Sequence, residues 1–184
     1  MERLHWTERK AWADRFDADV RSILRDVFGA EPVPADREAD AKENTDYVVG
    51  GLRISVRIRR DKYRKYEDEV TFRWNVPSGN TPEIDKALAG MGDYMLYAFA
   101  DATESRIAKW TILDLSVLRE WGCIPTCWKR NHDGSSDFVI VKIADLPPAF
   151  VYAASSGAKA PVRTHRLAPT KNVFRSELEM DKTI

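Results

Sequence analysis

Residues 44–60, NTDYVVGGLRISVRIRR, constrain this chain more than any other stretch. Gly50-Gly51 separates two runs rich in β-branched residues. This predicts a hairpin with a two-residue turn, Tyr47–Val49 as its first strand and Leu52–Arg59 as its second. The second run alternates with period two: Leu52, Ile54, Val56 and Ile58 share one face, while Arg53, Ser55, Arg57 and Arg59 share the other. A strand of this period turns its apolar face to a core and offers its cationic face to something else. Asp46, at the mouth of the hairpin, is its only carboxylate.

Around the hairpin the sequence predicts an α+β chain. Residues 5–28 place Trp6, Trp12, Phe16, Val20, Ile23, Leu24 and Val27 at helical spacing, with Gly29 as the stop. Asp14, Asp17, Arg21 and Arg25, on the opposite face, read as solvated charge. Residues 30–43 contain Pro32 and Pro34, lack a period, and form an acidic loop with Asp36, Glu38, Asp40 and Glu43. A third strand is expected at 70–76. Thr81, Pro82 and Glu83 make a helix start, and the spacing of Ile84, Leu88, Met91, Met95 and Phe99 predicts a helix over 81–100, weakened by Gly90 and Gly92. Residues 107–115 and 138–143 read as strands, with a helical turn at 116–121 and irregular chain over 122–130. The expected fold is a central mixed sheet of about five strands flanked by helices, in the order α-β-β-β-α-β. One domain is expected over residues 1–154, followed by a basic polar tail over 155–184.

Apolar residues make up 43% of the chain, enough for a substantial core. The 29 basic and 29 acidic residues cancel, so an anionic partner must be met by a local patch rather than by overall charge. The densest patch is Arg57, Arg59, Arg60, Lys62, Arg64 and Lys65, interleaved with Tyr63 and Tyr66 and diluted by Asp61, Glu67, Asp68 and Glu69. Cations contact phosphates and aromatic rings stack on bases, so this mixture suits nucleic acid. Cys123 and Cys127, with only three histidines in the chain, form no four-ligand zinc spacing and read as a buried thiol pair. His132, in the polar loop over 131–137, reads as a turn residue. The charged first ten residues and the lack of any apolar run near ~20 residues point to a cytoplasmic protein that does not enter a membrane. Oligomeric state is left open.

The element order, Asp46 at the hairpin mouth, and the triplet Ser55-Val56-Arg57 nine residues on together resemble the core of the PD-(D/E)XK nuclease superfamily. That resemblance implies a protein acting on nucleic acid with magnesium as cofactor. Asp46 would be the first acid, and Ser55-Val56-Arg57 would stand where an acid-x-lysine triplet holds the metal and steadies the attacking water. Here the triplet departs from the pattern: serine is a weak magnesium ligand, and arginine stays protonated. The segments NTD, RISVRIRR, TFR, SGNTPEIDK, GDY with YAF, W-x-x-x-DL and NHDGSSDF, spread over residues 10–146, also resemble a group of phage and bacterial proteins. This second likeness implies a shared fold and a phage or mobile-element setting.

Three readings follow. In the first the site has migrated. Glu83 and Lys86 replace the missing acid and lysine, Asp46, Glu83 and Asp40 hold one magnesium ion, and Arg57, Arg59 and Arg73 bind the scissile phosphate. In the second, catalysis is lost. Arg53, Arg57, Arg59, Arg60, Lys62, Arg64, Lys65 and Arg73 then form a cationic surface for nucleic acid or for an acidic protein partner. In the third, Asp46 pairs with Arg57 or Arg73 and the cluster only holds the sheet together.

Overall fold

The computed structural model describes residues 2–36, 43–75, 79, 81–122, 128–131 and 136–155. Cys123, Cys127, His132, Glu38, Asp40 and nearly all of the expected tail lie outside these residues.

The chain is an α+β protein with a mixed sheet flanked by helices. Instead of one N-terminal helix there are two, α1 (Glu2–Asp14) and α2 (Asp17–Phe28). The chain turns between them where the Phe16 amide donates to the Ala13 carbonyl at 3.1 Å. Phe16 is fully buried and anchors that turn, while Asp17 and Asp19 stand in the first turn of α2, where negative charge is favoured. β1 (Val33–Pro34) pairs with β2 (Tyr47–Val49), and β2 forms the expected hairpin with β3 (Leu52–Arg59). Gly50 and Gly51 both have positive φ, 56° and 82°, which the tight turn between Val49 and Leu52 requires.

After β3 a short 3-10 turn, Asp61–Tyr66, leads into β4 (Glu69–Asn75). α3 spans only Glu83–Leu88. The helix expected over 81–100 therefore ends early, and its second half is β5 (Tyr94–Ala100), buried along its whole length. Gly90 and Gly92 sit at positive φ and terminate the helix; a Cβ on Gly92 would come within 3.3 Å of the Asn44 carbonyl. Met91, Met95 and Phe99 fall at helical spacing by coincidence. A run such as YMLYAFA, apolar on both faces, fits a central strand equally well, and the glycines decide between the two.

β6 (Ile107–Asp114), α4 (Leu115–Trp121), β7 (Trp128–Arg130), β8 (Asp137–Lys142) and β9 (Val151–Ala154) complete the fold. Asp114 caps α4 as expected, accepting from the Ser116 amide at 2.9 Å. The main sheet has six strands in the order β1-β2-β3-β5-β6-β9, all antiparallel except the β3–β5 pair. β4 leaves this sheet and joins a second one, β4-β8-β7. Among the described residues the expected single sheet of about five strands is instead one sheet of six and one of three. The expected order α-β-β-β-α-β is met only if the two-residue β1 between α2 and β2 is set aside; even then the third strand pairs elsewhere and the last is β5 rather than the segment over 107–115.

β5 carries both halves of the core. Tyr94, Leu96 and Ala100 pack with Phe16, Val20 and Leu24 beneath α1 and α2. Met95, Tyr97 and Phe99 pack with Val70 and Phe72 of β4, Val139 and Val141 of β8, and residues of α3 and α4. The layers are therefore two helices, the six-stranded sheet, and a third layer made of the small sheet with α3 and α4. No described helix is long and apolar enough to cross a membrane.

α2 is tied to the hairpin by the Tyr47 hydroxyl, which donates to Asp17, and by Arg21, which lies over the Tyr47 ring at 5.6 Å and pairs within the helix with the same carboxylate at 2.8 Å. The bond from Tyr47, outweighing partial burial and assisted by Arg21, lowers the Asp17 carboxyl below its ordinary 3.8. A carboxyl depressed by folding stabilises the native state above the unfolded pKa, and that contribution disappears as pH falls through the native value. Melting temperature is accordingly expected to fall as pH drops below about 4, and Asp17→Asn is expected to flatten that part of a melting-temperature-against-pH curve.

Candidate functional site

Asp46 sits half-buried where β2 begins. Its amide donates to the Ile54 carbonyl at 2.9 Å, and its Oδ2 accepts from the Val56 amide at 2.6 Å. The carboxylate thus takes the place of the next ladder partner for β3. Ser55, at the position of the second acid, is buried, and its hydroxyl donates to the Tyr94 carbonyl at 3.4 Å.

The arginines of β3 do not form an open row; each is drawn between the layers. Arg53 binds Asp93 at 2.9 Å and the Gly90 carbonyl at 2.7 Å, and Asp93 in turn accepts from the Arg53 amide at 2.8 Å. Arg57 pairs with Glu83 and donates to the Thr71 carbonyl at 2.8 Å. Arg59 donates to the Tyr97 hydroxyl at 2.8 Å and lies 4.5 Å over the Tyr63 ring. The side chains of Arg57 and Glu83 are only 18% and 12% exposed. Charges held this deep need partners, and the β3–β5 and β3–β4 junctions supply them.

Glu83 is the hub of this arrangement. It takes Arg57 and also accepts from the Arg73 amide at 3.1 Å, so one carboxylate joins β3, β4 and the first turn of α3. Lys86 lies half-buried in the last turn of α3. The Arg73 guanidinium makes no hydrogen bond or ion pair with a described residue. Although Arg73 is exposed, the protein packed around its head group, and then the charge of Arg57, lower its pKa; Glu83 and, more weakly, Asp46 act in the opposite direction. Arg73 stays cationic throughout, given arginine's ordinary value.

Magnesium is expected at Asp46, Glu83 and Asp40. Asp46 binds the Val56 amide, Glu83 is committed to Arg57, and Asp40 lies outside the described residues. Among the described residues no three His, Cys, Asp or Glu side chains gather where they would hold a metal ion. Of the two arginines expected to pair with Asp46, Arg57 pairs with Glu83, while Arg73 is within electrostatic reach of Asp46.

The densest group of solvent-facing cations in the expected patch is on the Asp61–Tyr66 turn. Lys62, Arg64 and Lys65 are exposed, as are Tyr63 and Tyr66, at 36% and 42%. Lys62 and Lys65 lie about 5 Å from the rings of Tyr63 and Tyr66 respectively. Arg60 is exposed too, but it pairs with Glu104 and stands over Trp12 at 4.8 Å. Arg64 meets Asp61 at 3.4 Å, a surface pair of little energetic weight. β7 adds an exposed group that sequence reasoning missed: Trp128, 53% exposed, with Lys129 and Arg130. Lys129 aligns with Phe138 and Phe138 with Arg73, so Arg73 and Lys129 share one face of the small sheet. The tripeptide WKR, an aromatic beside two cations, was the available signal.

The sequence matches no protein-family model and no curated protein.

Proposed function

We propose that this protein binds single-stranded nucleic acid, without cleaving it, through the exposed turn at the end of β3. The observation that carries this reading is the concentration of Lys62, Arg64, Lys65, Tyr63 and Tyr66 on one exposed 3-10 turn. Cations on such a turn track a phosphate backbone. Exposed tyrosines offer stacking surfaces, and stacking favours unpaired bases over a closed duplex.

A nuclease-like ancestry of the PD-(D/E)XK kind remains part of the proposal. It is supported by the run of β2, β3, β4, α3 and β5, preceded by α2 and the two-residue β1, and by Asp46 at the hairpin mouth. The pairings weigh against magnesium-dependent hydrolysis: Glu83 would have to release a largely buried arginine to bind a metal, leaving that charge without its partner.

The test is fluorescence anisotropy with a labelled single-stranded oligonucleotide and its duplex, in the presence and absence of magnesium. Replacing Lys62, Arg64 and Lys65 together with alanine is expected to weaken single-strand binding about tenfold or more, through lost phosphate contacts. Melting temperature should hardly change, because all three side chains are exposed. Unchanged affinity in that variant, or binding only to an acidic protein surface, would remove the nucleic-acid reading. Magnesium-dependent shortening of the oligonucleotide would restore the hydrolytic one.

A further inference from the structure

A different surface, on the helix side of the main sheet, carries an inference that does not rest on the nucleic-acid reading. β2 is only three residues long and its register covers β3 from Leu52 to Ile54. Beyond that point β3 continues to Arg59, paired with β5 on one side only. The backbone of Arg53 bonds Asp93 on the β5 side, so Ile54, Val56 and Ile58 direct their amides and carbonyls the other way. Asp46 occupies the Val56 amide. The Val56 carbonyl and both polar groups of Ile58 have no partner among the described residues, and together they form an open strand edge.

Alongside this edge lies a cavity of about 170 Å³, with Val56 and Ile58 in its floor and Trp12, Asp14, Asp17, Asp46 and Tyr47 around it. Arg60 and Arg21 each lie over one face of Trp12 and Tyr47, respectively, and Arg21 pairs with Asp17, so an entering cationic side chain would take Lys10's place at Asp14 and lie between it and Asp46. Asp14 is 60% exposed and holds only a solvent-facing pair with Lys10, a contact exchanged at little cost. Asp17 and Asp46 are held in place by Tyr47 and by the Val56 amide.

We infer that this edge receives an extended basic peptide from a partner protein, which adds a strand beside Val56–Ile58 and places a lysine or arginine in the Trp12–Asp14–Asp46 cavity. On an added strand, residues level with Val56 and Ile58 project toward α1 and α2, into the cavity; the residues between them project to the opposite face. Main-chain bonds to Val56 and Ile58 supply affinity, and the acidic cavity selects the side chain.

The experiment is a titration of the ¹⁵N-labelled 184-residue chain with a capped heptapeptide of alternating lysine and valine. Saturable binding is expected, with the Ile58 amide shifting and gaining protection from hydrogen exchange. N-methylating alternate peptide bonds, or exchanging lysine for glutamate, should weaken binding by about tenfold or more, because each removes one half of the recognition. Asp14→Lys, at an exposed helical position, should weaken it about fivefold without changing melting temperature. Three results would overturn the inference: equal binding of the N-methylated peptide, shifts confined to surfaces away from Ile58, or concentration-dependent protection of Ile58 without peptide, which would make the edge a contact between two copies of the chain.

Discussion

Arg57→Met is expected to destabilise the fold by about 3 kcal/mol, near the lower end of what removing one member of a buried ion pair costs. The substitution keeps much of the side chain's length but leaves Glu83, 12% exposed, with only the Arg73 amide as a donor among the bonds described above. It also strips the Thr71 carbonyl of the bond that joins β3 to β4. Because the loss comes mainly from a stranded carboxylate, adding Glu83→Gln should recover most of it. Urea denaturation of the single and double variants measures this directly. A single variant within about 1 kcal/mol of the parent would mean that the pair is solvated and the hub role of Glu83 is mistaken.

Phe72→Ala is expected to cost about 3–5 kcal/mol, the usual range for emptying a fully buried phenylalanine site. Phe72 is fully buried on β4 and packs in the cluster that includes Met95, Tyr97 and Phe99 of the main sheet. It is therefore part of the contact by which the small sheet rests on the large one. If both sheets share that core, the variant unfolds at lower denaturant in one cooperative step, reported alike by far-ultraviolet circular dichroism and by tryptophan fluorescence. Two separated transitions would mean that the small sheet is stabilised on its own.

The hairpin was legible in the sequence because everything that defines it is local: a Gly-Gly turn and strict alternation in Leu52–Arg59. The cap at Asp114 and the helical run from Asp17 to Phe28 were legible for the same reason. β5 was not, because Ile84, Leu88, Met91, Met95 and Phe99 satisfy a helical period while YMLYAFA also satisfies a buried strand; only the backbone at Gly90 and Gly92 separates the two. The departure of β4 to pair with β8 depends on contacts some 70 residues apart, Glu69 with Lys142 and Val70 with Val141, which no local pattern carries.

The site shows the same division. Proximity in sequence grouped Arg57 and Arg59 with Lys62, Arg64 and Lys65 as a single patch. Folding splits that group at Arg60: the strand arginines turn inward to Glu83, Thr71 and Tyr97, and the turn cations face out. Which arginines are structural and which are available was decided by residues far along the chain.

The account of function turns on those outward cations, and its most direct measurement is the salt dependence of single-strand affinity. Three phosphate contacts predict a slope of about −2 in log affinity against log salt, from about −0.7 for each contact on a single strand. The variant lacking Lys62, Arg64 and Lys65 should bring that slope close to zero. A flat slope in the parent protein, or an undiminished slope in the variant, would contradict the assignment of this turn to nucleic acid.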